Sequence, residues 1–445
     1  MRDGQAEARP AGVPARAKQA GEIQGRWSWV EPSVWTERML TALEEGVKGG
    51  KWYSLIDKVS SLRSLRSAFA KVKRNRGKAG VDRVTIRQFE AHLETNLESL
   101  VESLQGGTYR PQAIRRVWIW KEGSREKRPL GIPTVRDRVV QASLRHVLEP
   151  IFERDFAAQS YGFRPQRGTK DALRRVAELL KRGYRVVVDA DLRSYYDTIP
   201  RPPLLERLGS KVADAKVLGL LEAFLEQEVM ESAKHWTPDR GTPQGAVISP
   251  LLSNIYLDPL DHLMAQRGYE MVRYADDFVI LCRSQLEAQE ALAEVTEWVA
   301  AAGLQLHPDK TRIVDASLPG GFDFLGYHFE QGRRWPSAKS RRRFKDKIRD
   351  LTKRTNGHSL QRIISQLAPI QKGWFEYFKH CHWMTFEALD GWIRMRIRSI
   401  LRRRQGRKGR GEGWDNHRWP NAFFAELGLF SLAAAYAQIR QPSPR

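Results

Sequence analysis

Residues 271–282 read MVRYADDFVILC. Two short apolar runs flank Ala275-Asp276-Asp277, which predicts two strands joined by a turn carrying adjacent carboxylates. The flanks are too apolar for a surface loop, so the acids are expected at the tip of a buried hairpin. Two anions this close raise one another's pKa and repel unless a cation or donors compensate. Hard divalent cations such as Mg²⁺ take oxygen ligands, often one or two carboxylates plus substrate phosphates. Upstream, Arg185 to Leu192 (RVVVDADL) predicts a second buried strand that also ends in acids. Asp189 and Asp191 share a face, because strand side chains repeat every two residues. Either one beside the hairpin would give a two-metal site its third ligand, and the spacing leaves open which.

Around these strands the periodicity is helical. Apolar residues recur at three- and four-residue steps over 31–73, 86–100, 135–148, 169–182, 204–230, 250–264 and 286–302. Ser249-Pro250 is a sound helix start and Gly303 a sound stop. Val117 to Trp120 predicts another strand. Helix, strand, helix, hairpin, helix is an α+β order, not a wound parallel sheet. Residues 1–30, rich in Ala, Gly, Pro and Arg, are expected to be a disordered lead. A catalytic body is expected over 31–330 and a basic helical domain over 331–405. After a Gly/Arg spacer, a basic-aromatic segment follows over 406–445.

The 445 residues carry a formal net charge of +23, which only a polyanionic partner or surface rewards. The charge is uneven: residues 331–445 hold 26 Lys and Arg against 8 Asp and Glu, a surplus of 18. A nearly balanced body followed by a basic, Trp-rich quarter reads as a catalytic core joined to a nucleic-acid grip. Arg341, Arg342, Arg343, Lys345 and Arg402, Arg403, Arg404 are its expected backbone-phosphate contacts. Cys282 and Cys381 are the only cysteines, which excludes a disulfide framework and a zinc site of paired CxxC motifs. No stretch nears the roughly 20 apolar residues of a membrane span, so no membrane partner is expected.

Nine blocks, in order, resemble the reverse transcriptases encoded by bacterial group II introns. They are GKAGVDRVTIRQFE (77–90), RPLGIPTVRDRVVQ (128–141), SYGFRPQRGTKDAL (160–173), DADLRSYYDTIP (189–200) and GTPQGAVISPLLSNIYLDPLD (241–261). RYADDFVIL (273–281), LQLHPDKTRI (304–313), FDFLGYHF (322–329) and QKGWFEYF (371–378) complete them. The resemblance implies a right-hand polymerase, with fingers and palm around an antiparallel sheet and a basic helical thumb, or maturase domain. It implies an RNA-directed DNA polymerase that copies intron RNA into DNA and, as maturase, binds that RNA to assist splicing. Implied partners are group II intron RNA, target DNA with a primer strand, and dNTPs, met in the cytoplasm at the nucleoid. Other readings are a splicing cofactor with incidental polymerase activity and a domesticated enzyme of phage defence or CRISPR loci.

By the family pattern, Asp191, Asp276 and Asp277 are the catalytic carboxylates and hold two Mg²⁺ ions. Tyr196, where relatives commonly have Phe, matches the aromatic floor beneath the nucleotide sugar. Arg128 and Lys121 resemble triphosphate contacts, and Gln244 a contact at the nascent base pair. Lys310 matches a palm lysine that touches the primer backbone or buttresses the carboxylates. The ending RWPNAFF (418–424) is similar to group IIC members. The H-N-H endonuclease of many relatives is expected to be absent, two cysteines being too few for its zinc module.

Overall fold

The structure is a computed structural model that describes residues 25–120, 126–232, 234–411 and 413–440. Within them, 25–120, 126–179 and 188–313 form one compact unit, and 180–187 with 314–440 a second.

In the first unit, the helix Leu62–Arg74 buries Leu65, Phe69 and Val72, the stripe its periodicity predicts. It packs on the long helix Val135–Glu153, where the Ser64 and Ser143 hydroxyls meet at 2.7 Å. Both helices begin at hydroxyl caps, Ser61 accepting from the Ser64 N–H and Thr134 from the Asp137 N–H. Strands β1 (Ile114–Trp120) and β2 (Lys127–Ile132) pair antiparallel, with Val117 opposite Leu130. Two further strands, β4 (Val229–Glu231) and β5 (Lys234–Trp236), complete that sheet in the order β2-β1-β4-β5. A second sheet holds β3 (Val186–Asp191), β6 (Glu270–Tyr274), β7 (Asp277–Cys282) and β8 (Arg312–Asp315), in the order β6-β7-β3-β8. The helix Ser249–Gln266 packs against β6, burying Leu251, Leu252, Ile255 and Leu260. These are the mixed helices and mainly antiparallel sheets of an α+β fold.

Two expectations need correcting here. The stretch 204–230, read as mostly helical, is two helices, Arg201–Gly209 and Ala215–Leu225, broken where Asp214 caps the second. Its last residues form β4, because Val229 pairs in parallel with Ile114 and is buried by it. The lead expected over 1–30 gives way to ordered chain by residue 25: Trp27 is only 2 % exposed and its Nε1–H donates to Glu44 at 2.6 Å. Residues 1–24 lie outside the described residues.

In the second unit, β9 (Phe322–Phe324), β10 (Tyr327–Glu330) and β11 (Arg333–Pro336) form an antiparallel sheet in the order β11-β10-β9. Phe322 and Phe329 stack across it at 5.1 Å. The chain after Gly332 was expected to be helical at once, but β11 comes first. Helices Ala338–Leu351, Leu360–Phe378 and Met384–Arg404 follow. The chain on the two sides of residue 405 packs together within this unit. Buried Arg398 donates to the Trp419 carbonyl at 3.0 Å and to Asn421 at 2.9 Å. Buried Asp390 accepts from the N–H groups of Leu432 (3.1 Å) and Ala433 (3.0 Å), capping the last helix, Leu432–Arg440. The segment set apart by its spacer in sequence is therefore part of this unit's core. Among the described residues, no helix is long and apolar enough to cross a membrane.

Candidate active site

The β6–β7 hairpin closes with Tyr274 opposite Asp277, which leaves a two-residue turn, Ala275-Asp276. Ala275 takes φ 61, a left-handed conformation unusual for a residue with a Cβ, so something must hold it. Arg273 does. Its guanidinium, with no exposed surface, grips Asp261 through Nε (2.7 Å) and Nη2 (2.5 Å). Its Nη1 donates to the Ala275 carbonyl (2.9 Å) and to Asn254 Oδ1 (3.0 Å). From the other side Gly162 lies so close that a Cβ there would stand 2.2 Å from the Ala275 nitrogen. Behind the turn, residues 278–282 of β7 are wholly buried.

Into this rigid tip project the acids. β3 lies beside β7, bringing Asp189 and Asp191 toward Asp276 and Asp277. Burial pushes the Asp277 carboxyl up to about 7, and the charges of Asp189, Asp276 and Asp191 push the same way. Asp276 is raised too, first by burial and then by Asp191. The Lys310 ammonium is ion-paired to Asp191, and Arg312 lies 3.3 Å from Asp189. The donors suit a hard divalent cation: all are carboxylate oxygens, and Asp277 holds its proton toward neutrality until positive charge offsets its neighbours. Among the described residues, no three His, Cys, Asp or Glu side chains stand at ligand spacing, and Lys310 occupies one face of Asp191.

Beside the acids, the turn 241–245 is stapled in place. Thr242 N–H donates to the Tyr196 carbonyl (2.7 Å), Gly241 N–H to that of Ile199 (2.8 Å), and the Gln244 carbonyl accepts from Gly131 (2.7 Å). Gly241 has φ 89, and a Cβ there would meet the Tyr196 carbonyl at 2.7 Å, so glycine is required twice over. The turn, β1, β2 and Asp197 border a cavity of about 310 Å³ that Gln244 helps to line. Half-buried Tyr196 has its phenol pushed up to about 12, by burial and then by the Asp276 charge. Arg128, on β2 opposite Ile119, is exposed. Lys121 lies outside the described residues.

The basic residues of the second unit divide. Arg341, Arg342 and Arg403 are exposed, Arg343 and Lys345 are half-buried, and the Lys345 ammonium sits 5.3 Å from the Trp392 ring. Arg402 is turned inward, 2.7 Å from buried Asp415, and Arg404 donates to the His358 carbonyl. Arg402 is thereby drawn into an internal tie, while Arg404 stays exposed. Sequence reasoning also missed Arg273, although a cation inside an apolar strand next to Tyr274 was a visible signal. Asp189, which the family pattern leaves outside the catalytic set, is the first of the charges that, after burial, push Asp277 up.

Comparison with known proteins bears on the family of the chain. Residues 119–329 match the family "Reverse transcriptase (RNA-dependent DNA polymerase)", and residues 341–419 match "Group II intron, maturase-specific domain". Protein YkfC of Escherichia coli is 34% identical over 57% of this chain and 76% of its own length. Group II intron-encoded protein LtrA of Lactococcus lactis is 39% identical over 39% of this chain, though the match spans only 29% of LtrA. Among solved structures, a "Partial Cas6-RT-Cas1--Cas2 complex" matches over 56% of this chain and 42% of its own at 23% identity with a TM-score of 0.36, too loose a superposition to bear on the fold. The chain belongs to the group II intron reverse transcriptases, RNA-dependent DNA polymerases joined to a maturase-specific domain.

Proposed function

We propose that the protein copies group II intron RNA into DNA and binds the same RNA through its second unit, as a maturase. The observation that carries the reading is the rigid Ala275-Asp276 turn beside the acids of β3, in a chain of this family. Asp191, Asp276 and Asp277 would hold two Mg²⁺, which when bound supply charge stabilisation to a primer hydroxyl attacking the α-phosphate of a dNTP. The chain's own contribution is positioning. Arg273 and Gly162 fix the turn, and Lys310 balances Asp191. Tyr196, held by the 241–245 turn, floors the sugar; Gln244 faces the nascent pair; Arg128 and Lys121 draw in the triphosphate. The fingers and palm would span 31–330, the thumb 331–405 and a group IIC-like nucleic-acid-binding end 406–445, with Arg341, Arg342 and Arg403 toward RNA or target-DNA phosphates.

The test is dTTP incorporation on poly(rA)/oligo(dT) with Mg²⁺. Asp276→Ala with Asp277→Ala should abolish it while the affinity for the template–primer holds within about twofold, since the phosphate contacts lie elsewhere. Undiminished synthesis would overturn the assignment. Loss of both synthesis and binding, with the fold intact, would move the two acids to a different role.

A further inference from the structure

The cavity of about 310 Å³ behind the 241–245 turn stands apart from the carboxylates. Pro129 and Gly131 of β2 line it, and successive strand residues face opposite ways, so Arg128 points to the other face of that sheet. None of Asp191, Tyr196, Asp276 and Asp277 borders it. Part of its wall is apolar, built from Pro129, Leu225, Val229, Trp236 and Pro243. The rest is cationic: Arg116, Arg201 and Arg240 line it against one carboxylate, Asp197.

Among the described residues, none of these three arginines is ion-paired. Arg116 lies over the rings of Trp118 (5.8 Å) and Trp236 (5.0 Å). Half-buried Arg201 reaches only the Gly241 carbonyl, at 3.5 Å, and the charges of Glu226 and Asp239 act on it from beyond contact. A guanidinium partly withdrawn from water with no anion beside it is costly, and a phosphate matches its planar fork.

Two buried polar atoms on the same wall point independently to a guest. Gln227, 4 % exposed, donates through Nε2 to the Gln112 carbonyl (2.7 Å) and to Asp137 (3.4 Å). Those two acceptors fix the orientation of its amide, and the Oε1 left over has no partner. Thr242, 2 % exposed, has its Oγ1 equally unpartnered, although its N–H is held by the Tyr196 carbonyl. Buried polar atoms are rarely left so, and a ligand carrying N–H donors would satisfy both.

We propose that this cavity is a second nucleotide site, which binds a free nucleoside triphosphate away from the catalytic acids. Arg201 and Arg240 take the phosphates, and the base lies against Pro129, Pro243 and Trp236. Its N–H groups donate to Gln227 Oε1 and Thr242 Oγ1, and Asp197 accepts from a sugar hydroxyl. The volume, at the low end for ligand pockets, suits one nucleotide and not a strand. A guest here braces the back of the turn that carries Gln244.

Isothermal titration calorimetry of ATP into the full chain tests it. Divalent cations are left out, so that no metal draws the nucleotide to the carboxylates, and physiological salt screens loose ion binding. One ATP should bind per chain. Arg201→Gln with Arg240→Gln should weaken it by about tenfold or more, and Thr242→Val by about threefold. Asp276→Ala with Asp277→Ala should leave it unchanged. Thermal melts verify that each variant is folded. Absence of saturable binding overturns the proposal, as does an affinity that survives the arginine substitutions or falls with the two acids. Displacement of ATP by oligo(rA) at equal nucleotide concentration would assign the cavity to an RNA strand and overturn it too. The polymerase reading stands or falls separately, on dTTP incorporation.

Discussion

Arg273 shows how much of the site depends on one side chain that touches no substrate. Its two-pronged grip on Asp261 and its bond to the Ala275 carbonyl join stability and turn geometry in one group. Arg273→Met leaves Asp261 charged, buried and unpaired, which should cost about 3–5 kcal/mol in a urea melt. Adding Asp261→Leu removes the stranded charge and should recover most of that stability. DNA synthesis should stay low in the double variant, because the turn still lacks its donor. Full recovery of both would make Arg273 a packing residue only. In sequence the arginine was in view, but its partner was one acid among several on a helix twelve residues back. Lys310 is a harder case: it reaches Asp191 across 119 positions, a pairing that sheet order creates and local pattern cannot announce.

At the scale of elements, what was legible followed the strength of the local signal. The hairpin strands, the strand ending in Asp191 and the long amphipathic helices could be read because each carries its own apolar period. The unreadable strands, β4, β5 and β9 to β11, are three or four residues long and exist because of their partners. The Gly162 segment belongs with them. It lies along β6, its Tyr161 N–H donating to the Arg273 carbonyl at 2.8 Å, and nothing in Ser-Tyr-Gly-Phe-Arg foretells that. Gly162→Ala would drive a methyl into the Ala275 backbone. It should lower the rate of incorporation by about tenfold or more, since a misplacement near 1 Å already costs that much, with little change in template affinity. An unchanged rate would show that the turn tolerates displacement.

For the molecule as a whole, the division of charge is the feature that composition foretold and coordinates refined. The second unit keeps Arg341 and Arg342 exposed but ties Arg402 to buried Asp415. Counting arginines therefore overstates the grip. Replacing Arg341 and Arg342 by Gln should flatten the dependence of log K on log salt for single-stranded RNA by about 1.4, the share of two phosphate contacts. The same change at Arg402 should lower the melting temperature and leave the salt slope alone. Equal slopes for both variants would contradict this division. The inward ties also bear on how the protein is made. Asp390 and Arg398 wait on the Met384–Arg404 helix for partners at positions 419–433, so a nascent chain holds two buried polar groups open until those positions leave the ribosome. Synthesis stalled short of that stretch would release a half-closed core, exposed to chaperones and proteases before it could meet any RNA.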